Sequence, residues 1–142
     1  MLKSLFNPGA YPAKIDSLLL LIRIAVAVFM LTHGIGKLLK LLANEPVTFS
    51  DPLDIGPTAS LVLTVFSEVF CSLFLLFGFV TRLAVIPLII TMLVIIFIVQ
   101  IEKGFDKMEL PLFFLLNFIV VLVAGPGRYS IDKLIHDKII RP

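Results

Sequence analysis

Residues 18–42, LLLLIRIAVAVFMLTHGIGKLLKLL, decide the fold class, because Arg23, His33, Lys37 and Lys40 are their only titratable side chains. A helix rises 1.5 Å per residue, so about 20 residues cross a hydrocarbon core about 30 Å thick. This run is long enough. It is too long for a signal peptide, lacks a small-residue cleavage site in the right place, and is predicted to stay as a first span.

Working outward, three more apolar blocks follow at 59–80, 83–101 and 110–124. The last is short and becomes long enough by borrowing a turn at either end; a buried or re-entrant helix is its alternative. The whole chain agrees: 59% of its 142 residues are hydrophobic and 15% charged, with a mean hydropathy of +1.10. A soluble domain carries about 25% charged residues. The expected architecture is all-α, an integral membrane four-helix up-and-down bundle. One unit covers 1–142, with spans at about 17–42, 58–80, 83–101 and 108–125.

The connections read as loops. Residues 44–57 hold Pro46, Pro52, Pro57 and Gly56 with the acids Glu45, Asp51 and Asp54, which is turn chemistry. Gly78 with Thr81 and Arg82 marks a tight turn, and EKGFDK at 102–107 a short polar connection. Pro111 is expected in the first turn of the fourth helix, where its missing N–H costs nothing. Pro87 is expected to kink the third slightly. Gly125-Pro126-Gly127 ends the fourth span. Beyond it, Ser130 is an N-cap for a short helix at about 130–140. Ile131, Leu134, Ile135 and Ile139 lie on one side of it, and Asp132, Lys133, Asp137 and Lys138 mainly on the other. Such a helix suits the membrane surface; a frayed tail is the alternative.

Basic residues set the orientation. One side holds Lys3, Lys14, Arg82, Arg128, Lys133, Lys138 and Arg141; the other holds Lys37, Lys40, Lys103 and Lys107 beside several acids. Both termini are expected in the cytoplasm. Net charge is +2, with no basic run interleaved with aromatics, which argues against nucleic acid as a partner. The single cysteine, Cys71, forms neither an intrachain disulfide nor a CxxC pair.

An ionisable group within a span costs about 2.5–3.5 kcal/mol on insertion scales, so it needs a partner or a function. Arg23 shares a helix face with Ala27, Met30, Gly34 and Lys37, flanked by His33. Glu68 falls near the middle of the second span, with Thr64, Cys71 and Ser72 on its face. The expected ion pair is Arg23–Glu68, with Lys37 reaching towards Glu109 at the start of the fourth helix, where the helix dipole favours a carboxylate. Gln100 and Asn117 add neutral polar groups. A buried Arg–Glu pair also has a purely structural reading, the fixing of register. No second histidine lies near His33, so a metal site is not expected. Gly34 and Gly36 read as close-packing positions. No hydrolase triad, phosphate-binding loop or haem ligand pair is present, and no catalytic residue is assigned.

In order along the chain come Arg23, HGIGKL at 33–38, Phe49 with PLDIG at 52–56, FSEVFCS at 66–72, GFVTRLA at 78–84, IPLIITML at 86–93, Glu109 and GPGRYSID at 125–132. This series resembles the DoxX family of small four-helix bacterial membrane proteins over about residues 20–133. The resemblance implies a bundle in the cytoplasmic (inner) membrane. It also implies association with an oxidoreductase linked to thiosulfate or quinol, or with a membrane-bound oxidative-stress complex. Arg23, His33, Lys37, Glu68 and Glu109 match the family pattern. Gln100 departs from it where relatives often have a histidine, which weakens a relay or metal role there. Relatives acting through thiols use paired cysteines, which this chain lacks.

Three functions follow as expectations. In the first, the polar cluster of Arg23, His33, Lys37, Glu68 and Glu109 binds a quinone head group, which needs hydrogen-bond donors in an apolar slot. Electrons then come from a partner redox protein or a bound cofactor, since no metal, haem or flavin motif is present. In the second, the chain is a non-catalytic subunit that docks a larger membrane complex or a second copy of itself. In the third, it carries a small solute, although four spans without a repeat differ from the usual transporter plan.

Overall fold

The computed structural model describes residues 7–43 and 45–140. Lys3, Asn44 and Arg141 lie outside these residues, as does the side chain of Ile139. Four long helices follow one another: α1 (Ala13–Leu42), α2 (Pro57–Phe77), α3 (Thr81–Val99) and α4 (Phe105–Ala124). Each is long and apolar enough to span a bilayer. A short α5 (Ile131–Ile135) runs on into a wider turn with i→i+5 bonding, His136–Ile140. No strand occurs among the described residues.

Sequential helices pack side by side and α1 also touches α4, closing a four-membered ring. All four helices contribute to one core, which includes Met30, Leu75, Leu88 and Phe118. Leu61, Val65 and Val69 form a second cluster beneath Leu38, Val47 and Phe49. The outward faces stay apolar: Leu21, Phe29, Phe97, Leu116 and Val123 are all exposed. Water penalises such a surface and lipid does not. This is a multi-pass membrane bundle in contact with the bilayer.

The turn between α2 and α3 shows how local sequence sets the packing. Gly78, at φ +66°, takes the left-handed conformation that ends α2. Its N–H donates to the Leu75 carbonyl at 3.1 Å, and the Phe79 N–H donates to Phe74 at 2.9 Å. The Phe74 and Phe79 rings meet edge to face at 5.6 Å, completing the cap with an apolar contact across the helix end. A Cβ on Gly78 would lie 2.6 Å from the Ser130 Cβ and 2.8 Å from an Arg23 nitrogen. Only glycine fits there.

Three expectations need correction. Helix α4 starts at Phe105, so Pro111 lies inside it rather than in its first turn, and its ring nitrogen cannot donate to the Lys107 carbonyl. Glu109 is therefore also in the second turn, and it is exposed. Ser130 does cap α5, accepting from the Lys133 N–H at 3.1 Å. Asp132, however, is fully buried rather than on a polar outer face. It accepts from the N–H groups of Val80 at 2.7 Å and Thr81 at 2.9 Å, while its own N–H donates to Gly78. Val80 has φ +46°, an unfavourable conformation for a β-branched residue, and Asp132 helps to hold it. Helix α5 is thus pinned to the α2–α3 turn.

Candidate functional site

At the end where the first and last described segments meet, Tyr11 donates to the Ala124 carbonyl and the Arg128 N–H to buried Asp16. Arg23 is buried here. Its two terminal nitrogens donate to the carbonyls of Pro126 at 2.5 Å and Tyr129 at 2.6 Å, and Asp132 supplies opposite charge nearby. The glycine-rich segment after α4 curls so that its carbonyls face the guanidinium. Five fixed N–H donors make Arg suited to such a role.

Arg23 therefore does not pair with Glu68. Gly34 packs against Glu68, its would-be Cβ 3.0 Å from Glu68 atoms, which fixes the depth of the carboxylate. Gly34 is eleven residues beyond Arg23, about 16 Å along the helix, further than an Arg side chain reaches. Lys37, one turn past Gly34, makes the pair instead: its Nζ donates to Glu68 Oε1 at 2.5 Å. Lys37 does not pair with Glu109, which makes no ion pair among the described residues.

The Lys37–Glu68 pair lies in a cavity of about 220 Å³ among all four helices. His33 lines it from α1, Gln100 from the end of α3, and Lys107, Pro111 and Phe114 from α4. The His33 ring meets Phe114 edge-on at 6.2 Å. Glu68 is only 1% exposed, and its Oε2 has no hydrogen-bond partner; neither does Gln100 Oε1. Buried acceptors without donors are costly, about 1–3 kcal/mol or more if charged, and call for an explanation.

The backbone is unusual at both residues. Phe66–Cys71, which contains Glu68, and Ile95–Val99, which Gln100 follows as the C-cap, are π-helical turns. Each inserts an extra residue per turn and redirects the side chains around it, a feature frequent at functional sites. Apolar periodicity does not reveal such turns.

Of the five expected site residues, the fold brings together His33, Lys37 and Glu68, and leaves Arg23 and Glu109 apart from them. Gln100, read from sequence only as a neutral polar group, completes the cluster. The sequence gives no buried role to Asp16 or Asp132; the available signal is an acid in the first turn of each helix, where the dipole favours it. Gly34 is a close-packing position as expected, whereas a Cβ on Gly36 would meet open space. No group of three or more metal-ligating side chains that could hold an ion occurs among the described residues.

The DoxX family model matches residues 18–101, more than half of the chain. No curated protein and no solved structure matches it.

Proposed function

The chain belongs to the DoxX family, and on that footing we propose that it is a redox-associated membrane protein whose Lys37–Glu68 cavity binds a quinone head group. The observation that carries this is the pair of buried acceptors without donors, Glu68 Oε2 and Gln100 Oε1, beside a lysine with N–H groups to spare. A quinone presents carbonyl acceptors, which Lys37 and His33 are chemically able to meet as donors; its reduced form presents hydroxyls, which the two free acceptors would satisfy. The bound group would supply the electron chemistry. The protein's part is to hold the ring, exclude water and keep a carboxylate and an ammonium in contact, where a proton can pass between them.

The same reading puts the end where Tyr11 meets Ala124 on the cytoplasmic side of a bacterial inner membrane, supported by the greater number of basic residues flanking that side. The cavity then opens in the outer half of the bilayer. A reporter fused after Pro142 that is active only in the cytoplasm supports this orientation; activity on the opposite side reverses it.

The deciding experiment is gentle purification followed by extraction and identification of bound quinones, repeated with Glu68→Gln and Lys37→Met. The expected result is a quinone retained by the wild type and lost about tenfold or more in the variants, with the fold unchanged. The reading fails if the wild type retains none and cannot be saturated with an added quinone.

A further inference from the structure

The polar cavity shares a wall with a second, larger one. Lys37, Ile95 and Gln100 line both. The second measures about 350 Å³ and runs as a groove between α2 and α3 beneath the first connection, walled by Phe49, Leu53, Leu63, Ile90, Val94 and Val99. Three of its hydroxyls are already engaged within the protein: Ser60 donates to Asp51 at 2.7 Å, Thr64 to the Ser60 carbonyl at 2.7 Å, and Thr91 bonds Ser67 at 2.9 Å. Beyond Lys37, Gln100 and Ser50 at its rim, the groove therefore offers a visitor a largely apolar surface.

Size decides how the two divide a ligand. A pocket of 220 Å³ is below the range of about 300–1,000 Å³ usual for small-molecule sites, so it suits a ring and not a whole amphiphile. We propose that the site takes a tailed quinone lengthwise, the ring at Lys37, Glu68 and Gln100 and the linear apolar tail in the groove between α2 and α3. This rests on the head-group reading above. Lipid chains are as apolar as the groove, so the tail gains little affinity by leaving them. The groove fixes direction, and the test must read position rather than affinity.

The probe is a benzoquinone bearing an alkyl tail tipped with a photoreactive diazirine, added to the full chain in phospholipid nanodiscs; labelled residues are mapped by mass spectrometry after irradiation. The expected label falls on Leu63, Ile90, Val94 and Val99. Excess tail-less benzoquinone lowers it about fivefold or more, and so does the groove-filling Val94→Trp, with Leu63→Trp as a second variant at a half-exposed position. Tail-less quinone binds both variants about as tightly as it binds the wild type. Labelling spread over lipid-facing residues such as Leu21 and Leu116, or groove labelling that the competitor leaves intact, while the tail-less quinone still binds saturably, overturns the tail assignment and spares the head-group reading. No saturable binding of the tail-less quinone overturns both.

Discussion

Arg23 and Glu68 are almost equally buried, at 2% and 1% exposed, yet the two ends of the bundle treat them differently. At the end where the first and last described segments meet, Arg23 bonds two loop carbonyls, and Asp132 and Asp16 accept from backbone N–H groups. These charges hold loops, and the loops in turn close over them. At the far end Glu68 meets one lysine, keeps one oxygen free and faces a cavity. Arg23 Nε and Thr81 Oγ1 also lack partners, so what sets the far end apart is that its unpaired acceptors, on Glu68 and Gln100, belong to residues lining a cavity. The difference separates a clasp from a site.

The largest expected effect tests the clasp. Arg23→Leu leaves the Pro126 and Tyr129 carbonyls without these donors and removes a charge that attracts Asp132, a loss of about 1–3 kcal/mol for each carbonyl. Thermal aggregation in detergent, followed by size-exclusion chromatography, should show little intact protein at temperatures the wild type survives. Gly78→Ala comes next: it combines positive φ with a clash against Ser130 and Arg23, and should cost about 1–3 kcal/mol by the same assay.

Glu68→Gln should cost less, about 1–2 kcal/mol, because the amide oxygen still accepts from Lys37 and the Lys37 side chain is 29% exposed. Its main effect should be on quinone retention. If Glu68→Gln instead unfolds the protein as thoroughly as Arg23→Leu, the contrast between the ends collapses and the Lys37–Glu68 pair is a second clasp.

The smallest effect concerns the loop over the groove. The Ser60 hydroxyl and the N–H groups of Gly56 and Ile55 bond Asp51 and hold its carboxyl below the usual carboxylate range. A depressed pKa stabilises the folded loop above the ordinary Asp value and loses that contribution as pH falls through the lowered one. Amide exchange at Ile55 and Gly56 should therefore be well protected at neutral pH and gain a further opening contribution only at strongly acidic pH. Asp51→Asn should weaken protection at neutral pH, and unchanged protection in that variant would remove Asp51 from the account.

Much of the architecture was legible in the sequence. Span length and the near-absence of charge require helices, because backbone polar groups in hydrocarbon must pair within their own segment. The glycines at 78, 125 and 127, and Ser130, mark helix ends through local chemistry that needs no tertiary context. The site was only half legible. Helical periodicity put Arg23, Gly34 and Lys37 on one face of α1, but it says nothing about which residue of α2 lies at which depth.

Composition and periodicity alone determined a four-span membrane protein, and its ordered motifs pointed to the family, because bilayer thickness and helix rise constrain every chain alike. Pairing was decided by the tertiary structure. Gly34 lets α2 approach closely at Glu68, so the neighbouring Lys37 takes the carboxylate while Arg23, about 16 Å away along the helix, is left for the carbonyls of a loop more than 100 residues later. Depth along a helix is local, but register between helices is set by packing, and that register turned one expected cluster into a clasp and a cavity.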